Sequence, residues 1–300
     1  MLRTMIQLRA ILLAVFALTS ATDDTEYLND FEDSRITTID NGDTRWEKVL
    51  MTDAASNHGA VCLDGSPGGY YIRRRLNHID DTNTDDENNW VIFHQGGGWC
   101  GSDTNCLRRS RGRFGSSNSW GPTYDESQGS EIFSSPLFEN YTIVFAMYCD
   151  GSSWTSDVDH PVIVRNRPIY YRGHRLLEAL IHNLVHVEGL KNATNVLYSG
   201  CSAGGLTALL HIDYIASRLS VFSPNATFLG LSDGMFSLDR NQFNTRPGLF
   251  QRIAKWGYSA WNSSSSINEA CRESHGIEDE WKCMFAEHVS MHVETPVFFL

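Results

Sequence analysis

The apolar residues of this chain fall into short unbroken runs that alternate with longer amphipathic stretches. A short apolar run bounded by turn residues is typical of a buried strand, whereas apolar residues three and four apart are typical of a helix. The runs predict strands at Gly69–Ile72, Trp90–Phe93, Thr142–Met147, Asn195–Tyr198, Thr227–Leu231 and Pro296–Leu300.

Two stretches between these runs predict long helices. Residues 171–190 place one apolar face on Leu177, Leu180, Ile181, Leu184 and Val187. Residues 203–219 place another on Leu206, Leu209, Leu210 and Ile215. Strands separated by long helices predict an α/β fold, with a mostly parallel sheet and helices on both faces. Since the last run reaches Leu300, we expect the sheet to be incomplete at the C-terminus and the chain to be truncated.

The first residues are typical of an export signal. Arg3 and Arg9 flank the apolar stretch Ala10–Leu18, and small residues follow up to Ala21. Nine apolar residues are too few to span a bilayer as a helix, although an uncleaved anchor is the alternative. The expected organisation is a signal peptide at 1–21, an acidic mobile lead-in at 22–45 and one folded domain at 46–300.

Composition and charge restrict the partners. A chain that is 41% hydrophobic and 11% aromatic can build a large core and is not typical of disorder. Cleavage after residue 21 removes two of the 24 basic residues and none of the 36 acidic ones, which leaves a net charge of −14. Because such a surface repels nucleic acid and anionic lipid, we expect neither as a partner, and no membrane association after cleavage. A monomer is expected.

Cysteine content and glycosylation sequons agree with export. The seven cysteines are Cys62, Cys100, Cys106, Cys149, Cys201, Cys271 and Cys283. In a secreted chain most of them should be paired, and the Cys100-x5-Cys106 spacing can close a small loop. No pair has the Cys-x2-Cys spacing of a zinc site, so no metal is expected. Sequons that predict surface glycosylation begin at Asn140, Asn192, Asn225 and Asn262.

The strongest chemical motif is Gly200-x-Ser202-x-Gly204, between a predicted strand and a predicted helix. A serine on such a strand-to-helix elbow is exposed as a nucleophile, and the glycines allow close backbone approach. The alternative is a glycine-rich turn with a capping serine. The motif predicts Ser202 as the nucleophile.

A nucleophilic serine also needs donors for the oxyanion that forms after attack. The backbone N–H of Ala203 lies at the positive end of the predicted helix and suits this role. A second glycine run, Gly96-Gly-Gly-Trp-Cys100, follows the strand at 90–93 and can direct further N–H groups into a pocket. We nominate Gly98 and Trp99 there; a plain tight turn is the alternative.

Together these residues resemble the pectin acetylesterase and Notum family. The resemblance runs from about Val61 to Leu300 and is carried by Gly96–Cys100, Tyr148-Cys-Asp-Gly151, Tyr171-Arg-Gly173, Ser199–Thr207 and Leu231-Ser-Asp233. It implies an α/β-hydrolase-like fold, with Ser202 as nucleophile and Gly98, Trp99 and Ala203 as the oxyanion hole. The third glycine of Gly96–Gly98 and the cysteine at 201 place the chain nearer the pectin acetylesterase branch.

The resemblance also implies a pattern of disulfides, and the chain departs from the family in two places. The implied pairs are Cys100–Cys106, Cys62–Cys149 and Cys271–Cys283, which leaves Cys201 as a buried free thiol. Gln95 stands where the family usually has Glu, which changes the charge of the pocket. The family's triad aspartate and histidine correspond to positions beyond Leu300.

The arguments for any other residue of this chain as the triad acid or base are weak. Asp233 follows a predicted strand, where some hydrolases place their acid, but the family has an aspartate there in addition to its triad acid. His211 is expected on a helix face. The remaining histidines, which carry no motif, are His275, His288 and His292.

The sequence therefore predicts a secreted carboxylic ester hydrolase that removes O-acetyl groups from an extracellular polysaccharide such as pectin. A serine acyl-enzyme is the expected intermediate, without metal or organic cofactor. The alternatives are removal of a fatty acyl group from a secreted protein, as in the Notum branch, and a non-catalytic secreted binding protein on a truncated hydrolase fold. The expected partner is acetylated polysaccharide or acylated protein.

Overall fold

The computed structural model describes residues 46–75, 88–124, 131–241 and 247–300. These ranges all fall within one compact unit, residues 36–300. The predicted signal peptide at 1–21 and lead-in at 22–45 lie outside the described residues, so both stay predictions.

Strands and helices alternate along the described chain. The strands are β1 (Glu47–Leu50), β2 (Gly69–Arg73), β3 (Asn89–His94), β4 (Thr142–Ala146), β5 (Val162–Val164), β6 (Arg167–Ile169), β7 (Asn195–Cys201), β8 (Thr227–Asp233) and β9 (Val297–Phe299). The α-helices are α1 (Thr52–His58), α2 (Asp103–Arg109), α3 (Gly173–His186), α4 (Ala203–Phe222), α5 (Leu249–Ala260), α6 (Glu269–His275) and α7 (Ala286–Val289). Short 3-10 helices lie at Ser117–Ser119, Glu131–Phe133, Pro136–Phe138, Leu190–Asn192, Ser263–Ser266 and Glu280–Met284.

Seven strands form one sheet in the order β1-β2-β4-β3-β7-β8-β9. The pairs β3–β4, β3–β7, β7–β8 and β8–β9 are parallel, while β1–β2 and β2–β4 are antiparallel. The prediction of a mostly parallel α/β sheet is therefore confirmed. The chain reverses direction across the sheet after β4, and in such sheets ligand sites form beyond the carboxyl ends of the central strands.

Helices α3 and α4 cover one face of this sheet. Tyr70 on β2 donates to Asn183 Oδ1 of α3 at 3.2 Å. Gly230 on β8 lies against Ile212 of α4, where a Cβ would come within 2.3 Å of Ile212 Cδ1. The close contact between α4 and the sheet thus depends on a residue without a side chain.

An aromatic cluster packs against the other face of the sheet. Phe93 on β3 and Phe145 on β4 stack with centroids 5.8 Å apart. Phe133, in one of the 3-10 helices, meets both rings edge to face at 5.0 and 5.6 Å. This connection between β3 and β4 therefore supplies the apolar wall beside the carboxyl ends of both strands.

The predicted helix faces are nearly correct. The inward residues assigned to α4 are all buried, as are Leu177, Leu180, Ile181 and Leu184 on α3. Val187 was assigned to the same face, but it is 46% exposed. Val187 is the C-cap of α3, and its N–H still donates to the Asn183 carbonyl oxygen at 2.9 Å, so its exposure reflects its position at the end of the helix.

The cysteines pair as the resemblance implied. The disulfides are Cys62–Cys149, Cys100–Cys106 and Cys271–Cys283. Cys201 is free, as expected, but half-buried rather than buried, because it ends β7 at the carboxyl edge of the sheet. None of the helices within the described residues is long and apolar enough to cross a membrane.

Candidate active site

Ser202 occupies a strained elbow between β7 and α4. Its backbone has φ 56° and ψ −122°, a conformation that costs free energy for a residue with a Cβ. A Cβ on Gly204 would lie 2.0 Å from the carbonyl oxygen of His94, and one on Gly200 would lie 2.3 Å from the carbonyl oxygen of Gly204. The glycines therefore allow β3, β7 and α4 to meet here. The Ser202 N–H donates to the Asp233 carbonyl oxygen at 2.8 Å, which ties the exposed serine to β8.

A cavity of about 920 Å³ opens beside Ser202. Its floor on the serine side is formed by Gln95, Gly96 and Gly97. Its apolar wall consists of Phe93, Phe114, Ile132, Phe138, Phe145, Leu231 and Leu300. A Cβ on Gly96 would come within 3.2 Å of Ser202 Cβ, so this glycine lets the loop after β3 approach Ser202.

The three nominated oxyanion residues lie on the two elements that meet at Ser202. Ala203 is the buried first residue of α4. Gly98 is exposed and left-handed, with φ 67°, where glycine is the favoured residue. The Trp99 ring stacks on Phe250 at 4.8 Å. The cavity beside Ser202 is lined by Gly96 and Gly97 and not by these three residues. The run of three glycines is the sequence signal that could have identified Gly96 and Gly97.

Asp233 lines the same cavity, but its partner is a thiol. Burial and the adjacent Asp233 carboxylate, which accepts a hydrogen bond from the thiol, raise the pKa of Cys201. Within the described ranges, no histidine is hydrogen-bonded to Ser202 or to Asp233. Ser202 thus has no paired base among the described residues, and Asp233 is not part of a triad there.

His211 lies on helix α4, as predicted, and its side chain is buried. Burial lowers the pKa of His211 to about 3, with a further contribution from His174. The ring is therefore neutral at ordinary pH, and its Nε2 donates to the carbonyl oxygen of Ser153 at 3.1 Å. Ser153 itself was missed by the sequence reasoning, because nothing in its local pattern marks it.

The three remaining histidines form a separate network. His275 Nε2 lies 3.0 Å from His288 Nδ1, and His288 Nε2 lies 3.2 Å from Asp239 Oδ2. His292 Nε2 lies 3.2 Å from the Ser274 hydroxyl. Their bonds are to one another and to neighbouring groups, and the expectation that none of them is catalytic stays a prediction.

One group among the described residues has the composition of a metal site. The ligand atoms of Cys271, His275 and Cys283 lie within 4.8 Å of one another. The two cysteine sulfurs are joined in a disulfide, however, and a cysteine ligates a metal only as a free thiolate.

The four sequons begin on exposed residues. Each lies in a turn or a short connection between helices and strands, which are the usual positions for attached glycans. These exposed asparagines are Asn140, Asn192, Asn225 and Asn262. Their use as glycosylation sites stays a prediction.

Comparisons with known proteins match most of the chain. The family model for Pectinacetylesterase matches residues 42–300. Pectin acetylesterase 11 of Arabidopsis thaliana is 30% identical over 254 residues, which are 84% of this chain and 61% of the relative. The human palmitoleoyl-protein carboxylesterase NOTUM is 28% identical over 256 residues, which are 81% of this chain and 48% of that protein.

A solved structure has the same fold. The Wnt deacylase Notum from Drosophila superposes with a TM-score of 0.71 at 23% identity, covering 84% of this chain and 70% of the other. This likeness establishes the α/β-hydrolase-like fold. The chain spans about half to three-fifths of the length of the curated relatives described above. Because the family model covers 259 consecutive positions, from residue 42 to residue 300, the chain belongs to the pectinacetylesterase family.

Proposed function

We propose that this protein is a secreted carboxylic ester hydrolase that removes O-acetyl groups from an extracellular polysaccharide such as pectin. The observation that carries the proposal is Ser202, exposed at φ 56° on the elbow between β7 and α4 and open to a large cavity. Backbone strain at a non-glycine residue is characteristic of functional sites. On a strand-to-helix elbow, this strain exposes the serine as a nucleophile.

The chemistry follows from the position of Ser202. Its Oγ attacks the ester carbonyl carbon, and the carbonyl π electrons move onto oxygen. The backbone N–H groups of Gly98, Trp99 and Ala203 are the proposed donors to that oxyanion. The C–O bond to the sugar then breaks, and the proton taken from Ser202 passes to the leaving alkoxide. Water hydrolyses the acetyl-serine in the second half of the reaction.

The proton must be carried by a base that contacts Ser202. No described histidine does so, and we propose that the histidine and its aspartate lie outside the described residues. The family resemblance expects them beyond position 300. Three disulfides support an oxidising destination, since such bonds persist mainly outside the cytosol.

A second candidate exists for the acyl group that is removed, which is a fatty acyl chain in place of acetyl. The apolar wall of the cavity includes four phenylalanines, and the cavity volume is far larger than an acetyl group needs. This wall favours removal of a fatty acyl group from a secreted protein. An acetylated sugar also needs room for its ring, however, and aromatic side chains are suitable surfaces for both ligands.

Two measurements on the full-length protein test the proposal. A fluorophosphonate probe should label the protein, and Ser202→Ala should abolish the labelling. Ser199→Ala is the matched control, because it removes a buried hydroxyl three residues earlier in the same motif. Labelling that survives Ser202→Ala would exclude Ser202 as the nucleophile.

The acyl preference is decided by kinetics. We expect a higher kcat/KM for p-nitrophenyl acetate than for the octanoate ester. A clear preference for octanoate would favour the fatty acyl candidate and refute the acetyl assignment.

A further inference from the structure

The turn after β4 joins the two halves of the proposed oxyanion hole. Its central residue, Ser153, is completely buried. The Trp99 indole N–H donates to Ser153 Oγ at 2.6 Å, and Ser153 Oγ donates to the carbonyl oxygen of Ala203 at 2.9 Å. One hydroxyl thus connects the loop after β3 with the first turn of α4.

The direction of both bonds is fixed by the chemistry of the partners. An indole nitrogen can only donate, and a carbonyl oxygen can only accept. The hydroxyl of Ser153 must therefore accept from Trp99 and use its single proton for Ala203. Neither alanine nor valine could make either bond at this position.

Ser153 is held in place by hydrogen bonds of its own N–H and carbonyl groups and of the neighbouring Trp154 N–H. Its N–H donates to the Tyr148 hydroxyl at 3.0 Å, and its carbonyl oxygen accepts from the neutral His211 ring at 3.1 Å. Its backbone is left-handed, with φ 54°, and so is that of Trp154, with φ 60°. The Asp150 carboxylate accepts from the Trp154 N–H at 3.0 Å and stabilises this conformation.

A second bond strengthens the connection to the glycine loop. The Cys100 N–H donates to the carbonyl oxygen of Gly151 at 3.0 Å. The loop is thus attached to the turn through both the side chain of Trp99 and the backbone of Cys100. The same turn is attached to α4 through Ser153.

We propose that Ser153 is a positioning residue. By holding the Trp99 side chain and the Ala203 carbonyl group, it fixes the backbone N–H groups of Trp99 and Ala203 relative to each other so that both point at one oxyanion. This inference rests on the proposed function. An oxyanion hole stabilises the transition state only when its N–H donors are already in place. If the donors of this protein lose their positions, kcat should therefore fall by a larger factor than KM rises.

The first arm of the test is structural and needs no turnover. In the full-length protein, Ser153→Ala should speed the hydrogen exchange of the Trp99 indole N–H, measured by NMR, by about tenfold or more. Ser263→Ala is the matched control, because it removes another completely buried hydroxyl, which contacts Thr155 at 2.9 Å. Unchanged Trp99 exchange in Ser153→Ala would overturn the inference.

The second arm is kinetic. Ser153→Ala and Trp99→Phe break the same bond from opposite ends, and each should lower kcat about tenfold or more with KM within about twofold. The double variant should have nearly the kcat of Ser153→Ala alone, because Ser153→Ala already removes the bond to Trp99 together with the bond to Ala203. Ser263→Ala should keep the parent kcat.

The outcomes separate the inference from the function. An equal fall in kcat for Ser153→Ala and Ser263→Ala would mean general destabilisation and overturn the positioning role. So would a Ser153→Ala variant with the parent kcat. Absence of turnover in the parent protein would refute the proposed function instead, and the inference would then be decided by the indole exchange alone.

Discussion

Two buried imidazoles should make this protein less stable as the pH falls. His94 and His211 are both essentially inaccessible to solvent, and burial lowers the pKa of each to about 3. The His94 ring lies edge to face between Trp154 at 5.1 Å and Tyr198 at 4.9 Å. Both rings are therefore neutral in the folded protein over the whole physiological range.

The sign and size of the effect follow from proton linkage. In the unfolded chain a histidine has a pKa of about 6.5, so below that pH the unfolded state binds a proton that the folded state does not. The free energy of unfolding therefore falls as the pH drops below about 6.5, and continues to fall towards about 3. Between pH 7.5 and pH 5.0 each imidazole accounts for about 2 kcal/mol of this loss.

The perturbation is His94→Phe, which keeps an aromatic ring between Trp154 and Tyr198 and removes the titrating group. Urea unfolding at pH 7.5 and pH 5.0 should show that the parent loses about 2 kcal/mol more than the variant between the two conditions. The carboxylates titrate in both proteins and cancel in this comparison. His160→Gln, which removes an exposed imidazole, is the control for loss of a histidine as such. An equal loss in parent and His94→Phe would refute the reasoning.

Three further predictions concern the backbone, the disulfide and the base. Gly204→Ala should abolish soluble expression because its Cβ would lie 2.0 Å from a backbone oxygen of β3, whereas Gly112→Ala, with its nearest atom at 3.9 Å, should express normally. Replacing Cys100 and Cys106 with serine should lower the free energy of unfolding in urea by about 2 kcal/mol, and an unchanged midpoint would contradict this. Residues 22–300 should hydrolyse p-nitrophenyl acetate at least about a thousandfold more slowly than a protein that extends beyond position 300, because no described histidine is bonded to Ser202 and a serine without a base is a poor nucleophile. Comparable turnover would return the acids and histidines of residues 22–300 to consideration.

Six of the nine strands and two of the seven α-helices among the described residues could be predicted from the sequence, because each of these is specified by a local pattern. The unbroken apolar run at residues 142–147 gave β4, and the spacing of leucines after Ser202 gave α4. The elbow was also predictable, since a strand, a glycine-flanked serine and a helix are consecutive in the chain. Val187 lies on the predicted face but is exposed, because periodicity gives the direction of a side chain and not how far along the helix the core extends.

The arrangement of these elements was decided by tertiary structure. No local pattern indicates that β3 lies between β4 and β7, or that Cys201 reaches the edge of the cavity. His211 is at a helical position like many others, and only the packing of α4 against the turn after β4 makes it a buried donor to Ser153.

The sequence by itself determined the family, the serine elbow and the glycine loops, because these depend on residues that are close together in the chain. The tertiary structure decided how those parts are held. Trp99 and Ala203 are joined through Ser153, which is 54 residues from the first and 50 from the second. A hydrophobic pattern records which side chains leave water, but it does not record which partner each one meets, and a hydrogen bond over such separations exists only once the sheet has brought the three loops together.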